Sequence, residues 1–292
     1  MSNTVNATPV LVCAEQFAQQ EEICTCSILQ PGSVVAIDME GANLGRMGVV
    51  SVVQVATESH QIFVFDVLHV PKEHPMWGLL RSLLEDASIV KVIHDSRMDT
   101  DSLFFMFDIQ MKNIHDTSCY NNVLTGSDDS IGLSNLLEQE HIAHNLLRNT
   151  NIYAKTPHFW LKRPFTAHMI QRASGDVAHL IALRALQLSH LCNDPSMLRA
   201  AESLSDEYST LTRPMCATVV YVNQSTDIPQ MIGYNGENIK RVAHALGILI
   251  YPRGQREFRH FTVFHPDKES LQSLLEEFDM QAVQTDVKFS TT

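Results

Sequence analysis

Three apolar, β-branched runs follow one another at residues 34–38, 49–56 and 62–66. Each has the length and composition of a buried strand. Gly41, Gly45 and Gly48 punctuate the first connection and suit tight turns. Three strands in succession read as an antiparallel meander. The pattern then changes. Residues 76–85 read as a helix, 89–94 as a strand, 98–107 as a helix and 113–116 as a short strand. A helical stretch follows at 132–138, then a loop-like segment at 145–164. A helix begins at 166–169, and a long one runs from 175 to 192. Ahead of the meander, helix-like spacing covers residues 10–28.

That order, a meander followed by alternating helices and strands, predicts an α/β domain with a ribonuclease H-like mixed sheet. Alternation alone would also allow a doubly wound sheet. The arbiter is Asp38-Met39-Glu40, which closes the first run. Residues two apart in a strand share a face, so both carboxylates point the same way. Like charges held this close repel unless a cation lies between them. A strand ending in Asp-x-Glu is therefore a candidate divalent-metal platform. Two more acids, Asp99 and Asp176, lie far along the chain at the starts of predicted helices. Phosphodiester cleavage calls for an activated water and a stabilised leaving oxygen, and two divalent ions about 3.5–4 Å apart can supply both. Taken singly, each acid also reads as a solvated surface charge or a helix N-terminal charge. Asp95 and Asp101 are expected to face solvent. Arg46 suits either a phosphate contact or a salt bridge.

The 292 residues suffice for two domains. No run reaches the ~20 apolar residues of a membrane span. No lysine or arginine occurs in residues 1–20, which argues against a secretory signal or an Arg-rich transit peptide. Six cysteines without a pairing framework suggest reduced thiols. The expected location is therefore intracellular, in cytoplasm or nucleus. A formal net charge of −12 works against broad nucleic-acid affinity, because phosphate contacts come mostly from lysine and arginine.

Several separated motifs resemble one known family. The stretch 34–57, with Asp38-Met39-Glu40-Gly41 and Leu44-Gly45-Arg46-Met47-Gly48, is similar to the first motif of DEDD-type 3′–5′ exonuclease domains. The similarity is greatest to the Egalitarian-like branch. Lys91-Val92-Ile93-His94-Asp95-Ser96-Arg97-Met98-Asp99 resembles the second motif, and Asn113-Ile114-His115-Asp116-Thr117 the strand after it. Phe159-Trp160-Leu161-Lys162-Arg163-Pro164 and Gly175-Asp176-Val177-Ala178-His179-Leu180 resemble the region of the third. The resemblance covers residues 33–191. It implies two Mg²⁺ or Mn²⁺ ions held by Asp38, Glu40, Asp99 and Asp176, with Asp38 bridging both. One departure stands out. The family places Tyr four residues, or His five residues, before its last Asp, and these positions hold Arg172 and Gln171. Neither is a usable base, and general-base help is worth about 10²–10⁴-fold.

After a polar stretch at 193–214, which reads as a junction with a short linking helix at 198–208, the pattern resets. Residues 217–222 read as a strand, 228–232 as a short helix, 237–246 as a helix, 248–251 and 258–264 as a strand pair, and 268–278 as a helix. Between the two helices lies Ile232-Gly233-Tyr234-Asn235-Gly236-Glu237-Asn238-Ile239. This small α+β segment, 215–280, resembles a type I KH domain. The resemblance implies that Gly233, Tyr234, Asn235 and Gly236 let backbone approach a nucleic-acid strand. Lys240, Arg241, Arg253 and Arg256 would lie beside it. The segment carries six Lys/Arg against eight Asp/Glu, and the loop lacks the basic residue usual in such loops, so a protein-docking role stays open.

The expected organisation is an exonuclease domain at 1–205, a KH-like domain at 215–280 and a frayed tail at 281–292. The expected function is metal-dependent 3′–5′ exonuclease action on single-stranded RNA, with DNA as a further substrate class. The alternative is an exonuclease-fold scaffold that binds RNA or proteins with little catalysis.

Overall fold

The computed structural model describes residues 8–127, 131–149, 156, 158–210, 216–253 and 259–284. The chain divides into two compact units, Met1–Thr210 and Leu211–Thr292.

The first unit is built on a six-stranded mixed sheet. Its strands are β1 (Val10–Val12), β2 (Val34–Ala42), β3 (Val49–Thr57), β4 (Ile62–Asp66), β5 (Val90–Ile93) and β6 (Ile114–Asp116), in the spatial order β1-β4-β3-β2-β5-β6. The pairs β2–β3 and β3–β4 are antiparallel, which is the meander read from the sequence. The pairs β1–β4, β2–β5 and β5–β6 are parallel. Residues 10–12 depart from the expected first helix. They pair with Phe63–Phe65, and the helix α1 starts only at Phe17 (Phe17–Ile28). A three-residue strand is too short to show its own period, so its apolar residues merged with those of the helix.

Strand alternation sorts the core into two faces. From β2, Val35, Ile37 and Met39 pack with α1, with α2 (Pro75–Glu85) and with Leu103 of α3 (Arg97–Phe107). Ala36 faces the opposite way, toward Met169, Ala173 and Val177 of a later helix. Asp38 and Glu40 share the parity of Ala36, so the fold turns both toward that second layer. Local signals set the helix ends. Pro75 occupies the first turn of α2, and the Asp116 carboxylate caps α4 (Thr117–Thr125) by accepting the Ser118 N–H at 2.9 Å. No helix was expected at α4, because its buried residues include Thr117, Ser118, Asn121 and Asn122 and give no apolar stripe.

Among the described residues, the remaining α-helices of this unit are α5 (Leu133–Gln139), α6 (Ala167–Val177), α7 (Leu180–Leu191) and α8 (Pro195–Thr210). Two readings need correction. The expected long helix is two helices, and Asp176 is the penultimate residue of α6 rather than the opening of α7. Met169, Ala173, Val177 and Leu180 keep helical spacing across the break, which hid it. The expected short linker is a sixteen-residue helix. Its Ala201 packs with Tyr120 and Leu191, and its Ser205 hydroxyl accepts the Asp116 N–H at 3.3 Å.

The second unit has four antiparallel strands and three helices among its described residues. They are β7 (Cys216–Val222), α9 (Ile228–Ile232), α10 (Glu237–Ala245), β8 (Leu249–Arg253), β9 (His260–His265), α11 (Lys268–Glu277) and β10 (Met280–Gln284). The sheet order is β10-β7-β9-β8. One core, with Val220, Val263, Ile239 and Leu274, joins the sheet to the helices. The segment read as tail begins with a strand, since β10 pairs with β7 along Met280–Gln284. Alternation of five residues at a chain end is a faint signal, which explains the miss.

Candidate metal centre

Asp38 and Glu40 lie at the C-terminal end of β2, which runs parallel to β5. The chain leaves β5 and enters α3, so Asp99 in the first turn of α3 comes to the same end of the sheet. Helix α6 crosses the second face and delivers Asp176 from its last turn. Asp38, Glu40 and Asp176 present carboxylate oxygens that all lie within 4.8 Å of one another. Asp99 stands outside that trio but lines the same cavity of about 500 Å³, together with Asp38, Glu40, His94, Asp95 and Arg148. Three of the four sequence-predicted acids thus line one pocket, and Asp176 joins them through its closeness to Asp38 and Glu40.

The electrostatics are those of a site short of cations. Asp176 is 1% exposed and Asp99 6%. Burial, followed by the charge of Asp176, pushes the Asp38 carboxyl up to about 7. Burial and then Asp38 hold Glu40 and Asp99 well above the ordinary carboxylate range. Asp38 Oδ2, Asp99 Oδ1 and Asp176 Oδ2 are buried without a hydrogen-bond partner. Buried acceptors left this way are costly, and a divalent ion coordinated by hard oxygens would satisfy them. The donor set therefore fits such an ion, which Asp38, Glu40, Asp99 and Asp176 would hold.

Three neighbours were not found from the sequence. His94 lines the pocket with both ring nitrogens engaged, Nδ1 with Thr117 Oγ1 and Nε2 with the Ile131 carbonyl, each at 2.9 Å. Asn145 Nδ2 donates to Asp176 Oδ1 at 2.7 Å. Arg148 Nε lies 3.3 Å from the same oxygen. Asn145 and Arg148 sit in a stretch without periodicity, and a single sequence carries no signal for them. Arg172, at the position where the family keeps Tyr, is 3% exposed, and its Nη1 donates to the Leu147 carbonyl. It ties down the chain bearing Arg148. His168 is exposed, with its ring edge-on to Phe159 at 6.0 Å. One expectation fails nearby: Asp101 is buried in an ion pair with Arg46. Asp95 keeps 34% of its side chain exposed where it lines the pocket, paired to Arg97 at 2.6 Å.

In the second unit, Gly233 adopts φ 75°, ψ 176°, a region essentially closed to other residues. Gly236 is left-handed at φ 81°. The Asn238 side chain donates to the Gln230 carbonyl at 2.9 Å, bridging the loop. Tyr234 stands 83% exposed at its tip. Lys240 and Arg241 are exposed on α10. Asn235 lies in the turn between the two glycines, and Arg253 ends β8. Arg256 falls outside the described residues.

A mixed sheet with a meander, an Asp-x-Glu strand end and two converging helical acids defines a 3′–5′ exonuclease fold. A family profile described as 3′–5′ exonuclease matches residues 15–188, more than half of the chain, and the chain belongs to that family. Curated relatives include the piRNA biogenesis protein EXD1 of Xenopus laevis. It is 31% identical over 184 residues, which cover 58% of this chain and 40% of that protein. Its Mus musculus counterpart is 29% identical over 181 residues, 57% of this chain and 31% of that one. The chain thus matches 31–40% of the length of these relatives. Among solved structures, Trypanosoma brucei RNase D in complex with RNA U12 aligns with a TM-score of 0.56 at 20% identity. That alignment covers 69% of this chain and 70% of that one. The catalytic core of RRP6 from the same organism gives 0.55 at 21%, covering 72% and 53%. Brucella melitensis NrnC bound to pGG gives 0.54 at 22%, covering 70% and 91%. These likenesses establish the fold. Among the described residues, no helix is long and apolar enough to cross a membrane.

Proposed function

We propose that this chain removes nucleotides from the 3′ end of single-stranded RNA with the help of two Mg²⁺ or Mn²⁺ ions. The observation that carries the reading is the convergence of Asp38, Glu40 and Asp176 within 4.8 Å, beside Asp99. Such ions, when bound, activate water and stabilise the leaving oxygen. The chain's own residues do the rest. Asp38, Glu40, Asp99 and Asp176 hold the ions. Asn145 orients Asp176, and His94, with both ring nitrogens engaged, shapes the wall without offering a base. No side chain at position 171 or 172 takes a proton from water, so turnover is slow by about the worth of a general base, 10²–10⁴-fold.

RNA as substrate is supported by the relatives: EXD1 is named for piRNA biogenesis, and Trypanosoma brucei RNase D was solved in complex with RNA. It is also supported by the second unit. There the order β7-α9-α10-β8-β9-α11 and the positive-φ glycines flanking an exposed tyrosine suit a KH-like module of the Egalitarian-like branch. In this reading Gly233 to Gly236, Lys240, Arg241, Arg253 and Arg256 meet the strand. A second reading is favoured by Arg172, which secures the backbone where a Tyr would face water. In that reading the domain is a weakly catalytic RNA-binding or protein-binding scaffold.

The test is a 5′-labelled oligoribonucleotide incubated with Mn²⁺. Stepwise 3′ shortening that vanishes in Asp38→Ala supports the enzyme. Intact RNA, with binding equal in wild type and Asp38→Ala, supports the scaffold. The matching DNA oligonucleotide separates the two nucleic acids.

A further inference from the structure

Arg148 is the unexpected member of the pocket. It sits on the one-turn segment Leu146–Asn149, which is secured to helix α6 at several points. Arg172 Nη1 donates to the Leu147 carbonyl. Asn145 Nδ2 donates to the Arg172 carbonyl at 2.8 Å, and Asn145 Oδ1 accepts the Leu147 N–H at 3.1 Å. The Arg148 N–H in turn donates to the Asn145 carbonyl at 3.0 Å. Gly175 completes the seat: a Cβ there would lie 2.6 Å from the Asn145 side chain. The result is a small clasp holding a guanidinium against Asp176, beside the acid cluster. Its charge reaches three of them, drawing Asp38, Glu40 and Asp176 back toward the ionised form.

We propose that Arg148 is a built-in counter-cation of this cluster, which a divalent ion has to displace in order to bind. The inference rests on the metal-site reading above. A guanidinium is always charged, and here it lies 3.3 Å from Asp176 Oδ1, an oxygen of the trio's acid on α6. Like charges repel most where water is excluded. A divalent ion entering beside Asp176 therefore meets a fixed positive charge, which has to swing out. The side chain is 30% exposed, so an outward path exists. The clasp sets metal affinity below that of a bare four-acid cage, and opening it admits the ions.

The experiment is Mn²⁺ titration of the full chain, read by calorimetry and by the electron paramagnetic resonance signal of free Mn²⁺. Arg148→Gln is expected to bind Mn²⁺ at least tenfold more tightly than wild type, with Arg148→Met as a second neutral variant. Arg148→Lys, which keeps the charge, is expected to stay within about threefold of wild type. Circular dichroism verifies that each variant is folded. Equal or weaker binding in both neutral variants, with binding still abolished by Asp38→Ala, overturns the counter-cation and leaves the metal site standing. Absence of Mn²⁺ binding in every variant overturns both.

Discussion

Arg46 grips Asp101 with a fork: Nη2 lies 2.6 Å from Oδ1, Nε 3.2 Å from Oδ2, and the Arg46 backbone N–H 2.6 Å from Oδ2. The two side chains are 6% and 0% exposed, and the guanidinium also covers the Phe105 ring at 3.7 Å. This pair fastens the β2–β3 connection to helix α3, the helix that carries Asp99. Removing one member of a buried pair leaves a stranded charge. Arg46→Ala is expected to destabilise the first unit by about 3–5 kcal/mol, measured by urea denaturation.

The acid cluster gives metal-free stability an inverted pH dependence. The Asp38 carboxyl, raised to about 7 in the fold, has an unfolded value near ~3.9. Between those values the folded state holds more protons than the unfolded state, so stability falls as pH rises from about 4 to 7. His115 acts in the opposite sense. Burial lowers it to about 3, so its contribution is present above ~6.5 and is lost as pH drops toward 3. Thermal melts in EDTA and in Mn²⁺ separate the two. The gain from Mn²⁺ is expected to grow from pH 5 to pH 8, while the His115 contribution is common to both series.

Gly175→Ala tests the clasp from the helix side. The added methyl meets Asn145 at 2.6 Å, and overpacking of this kind costs about 1–3 kcal/mol. The expected outcome is a modest fall in melting temperature. Loss of the Asn145–Asp176 hydrogen bond should accompany it, visible as a changed Asn145 side-chain amide resonance.

Tyr234 offers a direct test of the second unit. Stacking on an aromatic ring contributes about 1–3 kcal/mol per base. At 83% exposure the ring adds little to folding. Tyr234→Ala is expected to weaken RNA binding by that amount, with an unchanged melting temperature. Gly233→Ala should instead lower stability by about 1–3 kcal/mol, because its φ 75°, ψ 176° is strained for alanine.

The sequence disclosed those parts whose physics is periodic or repeated. The parity of Val35, Ile37 and Met39 against Ala36, Asp38 and Glu40 was legible, and with it the face on which the acids converge. The meander and the helix α2 were legible for the same reason. What escaped were features that periodicity cannot mark. The break between α6 and α7 interrupts no apolar spacing. The buried face of α4 is largely polar. Asp101 looked like a surface acid because its partner Arg46 lies fifty-five positions away. Arg148 and Asn145 gain meaning only once Arg172 is seen to face the backbone of Leu147.

The strand β10 has a consequence for how this chain can be handled. It occupies the flank of β7 that would otherwise present open backbone donors and acceptors along a run of Val219, Val220 and Val222. An uncovered flank of that kind recruits other strands. A recombinant fragment stopped at Met280, as the sequence alone would recommend, would lose most of this cover and be prone to self-associate, whereas one continued past Gln284 would keep it.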